Sequence, residues 1–186
     1  MFSGAIRLLL AIIFSPRQTW KELSKAKDGD RFFKRSYLFP IVILIALTSL
    51  VGGYLHADEH LLQNAVKDML VALIEVSASL FISSYLFNEY LGSVSAELKN
   101  MSRSRQFMAY ASALNYVLYM LVALFSDLFF LWMFSIYAAY LVYMGSFQFL
   151  KLSEDKRGQF VAITSLLVLF VPFIVKNILG HIVIKS

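Results

Sequence analysis

Residues 37–55 read YLFPIVILIALTSLVGGYL, nineteen positions without a charge. A helix needs about 20 predominantly apolar residues to cross the hydrocarbon core of a bilayer, so this stretch alone predicts a transmembrane span. Pro40 is compatible with it in the first helical turn, where a missing N–H is tolerated. Outward along the chain the pattern recurs four times. Residues 69–91 carry Glu75 and Glu89 but keep the uncharged run VSASLFISSYLFN between them. Residues 106–126 and 128–150 are apolar runs separated by Asp127. Together they are too long for one crossing, which predicts a helical hairpin with a very short turn. A fifth run, 159–183, continues through Lys176 and Asn177.

The composition agrees. Of 186 residues 59% are hydrophobic and 16% charged, with 17 Phe and 10 Tyr but 3 Pro and 8 Gly; soluble domains hold roughly 45–50% apolar and about 25% charged residues. Mean hydropathy is +0.69. These values exclude a disordered chain, a collagen-like repeat and a nucleic-acid-binding domain as the overall class. The absence of cysteine removes disulfide frameworks, thiolate metal sites and cysteine nucleophiles. The predicted class is all-α, an integral membrane bundle of five transmembrane helices preceded by short amphipathic interfacial helices.

Residues 1–36 differ in kind. MFSGAIRLLLAIIF is short, is interrupted by Arg7 and is followed by SPRQTW in place of a small-residue cleavage site, which argues against a removable signal peptide. Ser15, Pro16 and Gln18 occupy the positions of a capping box, so a second helix is expected to start there. Trp20 and Leu23 share one face of it, while Arg17, Lys21 and Lys25 keep the rest polar. The expectation is a pair of helices lying in the membrane interface, with Arg7, Arg17, Trp20 and Lys21 meeting lipid. The chain then divides into a cytoplasmic interfacial segment, 1–36, and a transmembrane domain, 37–186.

Eight of the 17 Lys and Arg fall in the first segment, three (Lys99, Arg103, Arg105) follow the second span, and three (Lys151, Lys156, Arg157) follow the fourth. Lys67, Lys176 and Lys185 lie on the other side. The excess of positive charge in short cytoplasmic loops places the N-terminus in the cytoplasm and the C-terminus outside. The net charge of +5 becomes a property of the cytoplasmic face, suited to anionic lipid or an acidic partner, and gives no evidence for nucleic acid.

The order of features resembles one family. SPRQTWKEL in the first segment, five spans, RQFMAYASALNYVLYML at the third, and YAAYLVYMGSFQFLKL followed by a charged loop and QFVAITSLLVLFVPFIV are similar to the YIP domain family, the Ypt/Rab-interacting multi-pass membrane proteins and their bacterial relatives. Ser15, Pro16, Trp20 and the region of Gly145 carry the likeness, which extends over nearly the whole chain. The resemblance implies a membrane location and a helical fold, with no catalytic signature. Eukaryotic members carry a longer cytoplasmic N-terminal region and work in vesicle traffic. The short region here points to the bacterial branch and a bacterial cytoplasmic (inner) membrane, with an ER or Golgi membrane as the alternative.

Several residues within the spans are candidates for function. Glu75 lies seven residues after Asp68, and Lys176 lies nine before Lys185. At 1.5 Å per residue they sit about 10 Å and about 13 Å from the outer face. An acid and a base at matching depth predict a buried pair between spans two and five, serving as a packing staple or as a gate, because either charge alone is costly in hydrocarbon. Asn115, Tyr116 and Tyr119 on one span, with Tyr137 and Tyr140 on the next, form a candidate polar cavity lining. Interhelical hydrogen bonding and aromatic packing explain the same stripe. Ser79 with Ser83, and Ala109 with Ala113, have the four-residue spacing that lets helices approach closely.

His56, Asp58, His60 and His181 all fall on the outer face. HADEH at 56–60 spells an inverted zinc-peptidase motif, but the loop holds no catalytic domain. A surface metal or proton-sensing site is the remaining metal candidate, beside a plain solvated loop. No GxSxG, P-loop or GxGxxG is present, so no enzyme chemistry and no cofactor are predicted. Two readings of function stand. The first is a non-enzymatic organising protein that binds membrane lipids or recruits another membrane or cytoplasmic protein. The second is a small-solute, ion or metal transporter or channel subunit using the intramembrane polar residues. The first is preferred, because Pro172 is the single mid-span proline and no two halves of the chain look alike, whereas transporters are often built from broken helices in repeated halves.

Overall fold

The computed structural model describes residues 2–26, 30–57, 60–150 and 154–184, and among these no strand is formed. α1 (Phe2–Phe14) is apolar and buries Ala5, Leu9 and Ile12, which recur at helical spacing along one face. Pro16 opens α2 (Pro16–Lys25) as expected, but the capping box is not made. The Ser15 side chain makes no cap bond, and Gln18 Nε2 instead donates forward to Glu22 at 3.0 Å. The α1–α2 corner is closed by the Thr19 hydroxyl, which lies 3.0 Å from the Ala11 carbonyl and 2.9 Å from that of Ser15.

The first span, α3 (Asp30–His56), begins well before Tyr37. Pro40 is therefore inside the helix and has no N–H to give the Ser36 carbonyl. The backbone absorbs the defect in a π-helical turn over Lys34–Leu38, where the Phe39 N–H reaches back to the Lys34 carbonyl. α4 (Leu61–Val94) runs 34 residues without a break, about 51 Å at 1.5 Å per residue. It exceeds the apolar run because Gln63, Lys67 and Asp68 continue the helix on its exposed side.

The third span is not one straight helix. α5 (Met101–Ala111) and α6 (Ala113–Leu124) meet at Ser112 with a bend of 50°. Asn100 caps α5, its side chain accepting the Arg103 N–H at 3.0 Å. The chain then turns at Phe125, two residues before the expected point, and Asp127 falls in the first turn of a 3₁₀ segment, Ser126–Ile136. That segment leads into α7 (Tyr137–Gln148), and the two together make a 23-residue apolar span. α8 (Glu154–Ile184) is the last helix and carries Pro172 within it. Among the described residues four helices are long and apolar enough to cross a membrane, and five crossings result when the bent pair counts as one.

α3 and α4 form a hairpin, α4 also packs on α5 and α8, and α7 lies between α8 and α2. α6 packs chiefly on α3, with α1 and the 3₁₀ segment beside it. The α3–α6 contact depends on Gly52, since a Cβ there would run into the backbone carbonyl of Ala123. Ile43, Leu47, Val51, Phe81, Phe129, Met133, Phe170 and Phe173 are exposed around the outside. Such an apolar surface suits acyl chains, and helices satisfy the backbone hydrogen bonds that lipid cannot.

Candidate functional site

Glu75 projects from α4 into the space between α4 and α6, and only 4% of it is exposed. Its Oε2 accepts a hydrogen bond from the Tyr119 hydroxyl of α6 at 2.8 Å. The expected pair with Lys176 is not made. Lys176 is exposed on α8, and no ion pair within 4.0 Å joins it to Glu75, although its charge lies within electrostatic reach. A long flexible side chain on a helix surface can turn its ammonium outward along its apolar stem, which equal depth alone does not forbid.

Asn115, one turn before Tyr119, does not line a cavity with Tyr137 and Tyr140. Its Nδ2 donates to the Val168 carbonyl of α8 at 3.2 Å. Val168 is four residues before Pro172, so its carbonyl is the one that loses its helical partner to the proline. The amide of a neighbouring helix replaces the missing donor, as an orphaned carbonyl in a membrane requires. A carbonyl can only accept, so Nδ2 must face it and Oδ1 must point away. That Oδ1 is buried without a hydrogen-bond partner, as is the Ser79 hydroxyl one turn beyond Glu75 on α4.

Tyr137 and Tyr140 belong elsewhere. The Tyr137 hydroxyl donates to the Ile13 carbonyl at 3.0 Å, tying α7 to the end of α1, and its ring packs on that of Tyr140 at 5.2 Å. Tyr116 is buried beside Tyr37, Tyr110 and Ser112 at the bend. The polar stripe is thus three separate structural bonds on three interfaces. A concavity lined by His60, Leu61, Leu62, Gln63 and Val66 lies at the start of α4, away from Glu75.

Trp20 departs most from expectation. It is 0% exposed and meets no lipid, because its ring packs against Phe107 at 5.1 Å, Phe149 at 5.6 Å and Tyr110 at 5.9 Å. The cluster continues through Phe107 to Phe87 at 5.0 Å and through Tyr110 to Tyr37 at 4.9 Å, joining α2, α3, α4, α5 and the end of α7. Gly145 makes the room, since a Cβ there would stand 2.7 Å from the Phe107 ring and 3.0 Å from Trp20. SPRQTW and YMGSF, more than a hundred residues apart, therefore form one contact. The Yip1 domain matches residues 10–175, which takes in both.

The chain belongs to the Yip1 domain family. No curated protein and no solved structure matches it. In this Yip1 domain chain Arg17, Lys21 and Lys25 are exposed on α2 beside the buried Trp20, with Arg7 exposed on α1 and Arg31 and Arg35 on the start of α3. Sequence reasoning missed the residues that brace this face. Arg105 reaches Asp30 at 3.3 Å, Asp30 also pairs with Lys34 at 2.7 Å, and Arg103 donates to the Phe149 carbonyl at 2.8 Å with its guanidinium 4.8 Å from the Phe149 ring centre. Asp30 and Lys34 lie in one charged stretch and Arg103 and Arg105 in another, and neither stretch contains a sequence signal for these partners. Of the candidate metal ligands, Asp58 lies outside the described residues. His56 Nδ1 is 2.7 Å from the Gly52 carbonyl and His181 Nδ1 is 2.8 Å from that of Asn177, and His60 begins α4 with φ 51°. Among the described residues no three His, Cys, Asp or Glu side chains are grouped to hold a metal.

Proposed function

We propose that this Yip1 domain chain is a non-enzymatic membrane-organising protein that presents its N-terminal basic face to anionic lipid headgroups, and through them to a membrane or cytoplasmic partner, on the cytoplasmic side of a bacterial inner membrane. One observation carries the reading. Trp20 locks α2 into the bundle while Arg17, Lys21 and Lys25 on the same helix stay exposed, so the charges sit on a rigid platform. A basic residue near an anionic surface contributes about 1 kcal/mol, so three together account for about a hundredfold in affinity. Replacing all three by Gln keeps Trp20 and the fold. The triple variant, held in detergent, should bind vesicles containing phosphatidylglycerol about a hundredfold more weakly than the parent protein, with no change toward pure phosphatidylcholine. Equal binding by both proteins would overturn the proposal.

A second reading, an ion or solute transporter, is favoured by the burial of the Glu75 carboxylate between helices, since intramembrane acids often mark transport routes. Solute or ion flux into vesicles reconstituted with the protein, abolished by Glu75→Gln, would support that reading over the first.

A further inference from the structure

Beside the Tyr119 hydroxyl that bonds to Glu75, two buried oxygens without partners lie one turn along the same helices, Ser79 Oγ on α4 and Asn115 Oδ1 on α6. Two hydrogen bonds, Glu75 to Tyr119 and Asn88 to Ser104, set α4 antiparallel to α5 and α6. Moving one turn forward on α4 and one turn back on α6 keeps that register and brings Ser79 level with Asn115. The resulting layer holds the Glu75 carboxylate, the Tyr119 hydroxyl, the Ser79 hydroxyl and the Asn115 Oδ1. Glu75, Ser79 and Asn115 are each more than nine-tenths buried. Asn115 Oδ1 can only accept, and so can a carboxylate; the Tyr119 hydroxyl goes to Glu75, and the Ser79 hydroxyl, although it could donate, bonds to neither. Buried acceptors without donors are costly, and a carboxylate without a counter-charge more so. A small cation satisfies both needs at once.

We propose that the layer formed by Glu75, Ser79, Asn115 and Tyr119 binds one monovalent alkali cation between α4 and α6. All four groups offer hard oxygen ligands, and a single carboxylate matches a single positive charge, leaving the layer neutral within the bilayer. Asp68 marks the way in. It is exposed two turns before Glu75 on the same face of α4, and the Tyr119 hydroxyl is within electrostatic reach of both carboxylates. Lys176 is the cation on α8 nearest in effect, and its exposed ammonium leaves the layer open. The inference does not depend on the lipid-binding role of the N-terminal face.

The test is thermal unfolding of the full chain in detergent at fixed pH and ionic strength, in lithium, sodium, potassium or choline chloride. At least one alkali cation should raise the midpoint over choline, the rise growing with the logarithm of its concentration and reaching about 5 °C at a hundredfold excess over Kd. Glu75→Gln should remove the rise, Ser79→Ala should shift it to higher concentration by at least about threefold, and Lys176→Met should retain it. Identical midpoints for the parent protein in all four salts would overturn the proposal without recourse to any variant. A rise that survives in Glu75→Gln, or a response to pH with none to alkali cations, which would mark a proton site instead, overturns it equally.

Discussion

At position 145 the α-carbon of α7 comes so close to Trp20 and Phe107 that a methyl group has no free volume. Gly145→Ala should therefore cost about 1–3 kcal/mol through overpacking, and Trp20→Ala about 3–5 kcal/mol through the cavity it leaves. The pair is informative together. Trp20→Phe removes the part of the indole that faces Gly145, so the double variant Trp20→Phe, Gly145→Ala should be more stable than the sum of the two single effects. Denaturant titration in mixed micelles measures the cycle, and strict additivity would show that the two residues do not share the space. Trp20 also illustrates how far one residue is legible. An amphipathic stripe of Trp20 and Leu23 against Arg17, Lys21 and Lys25 looks the same whether its apolar side meets lipid or protein. Position 145 decides between them, and it lies on another helix.

Helix α8 is broken in one place and repaired from outside. Pro172 withdraws the donor for the Val168 carbonyl, and Asn115 of α6 returns one. Asn115→Leu should leave that carbonyl unsatisfied at a cost of about 1–3 kcal/mol. Adding Pro172→Ala restores an N–H in the helix itself, so Asn115→Leu should cost less in the Pro172→Ala background than in the parent chain. Comparing thermal midpoints of the four proteins in detergent checks this, and an undiminished effect of Asn115→Leu would refute the link. Elsewhere, helix type was evident and helix shape was not. Pro40 shows in the sequence, but the π-helical turn that accommodates it inside α3 depends on how far upstream the helix starts. The 50° bend at Ser112 follows no proline or glycine, and no sequence signal predicts it.

For the molecule as a whole, the 14 Lys and Arg assigned to one face against three on the other support a cytoplasmic N-terminus and an outward C-terminus. A reporter active only outside the cytoplasm should function when fused after Ser186 and fail when inserted at Lys99. The opposite result would invert the topology and move the basic face of α2 to the outside, away from the proposed lipid partner.

Five apolar stretches, an all-helical membrane bundle and the charge asymmetry follow from the sequence by itself, because hydropathy sums over neighbouring residues and does not depend on how the helices meet. The likeness to the Yip1 domain family was equally visible in Ser15, Pro16, Trp20 and the region of Gly145. The partners of buried side chains were decided by tertiary structure. Equal depth suggested Lys176 for Glu75, but depth is one coordinate of three, and the facing of α6 delivers Tyr119 instead. Asn115 found the Val168 carbonyl, and Trp20 found the space above Gly145, for the same reason. A contact between helices depends on their rotation, bend and register together, and these are set when all the helices pack at once.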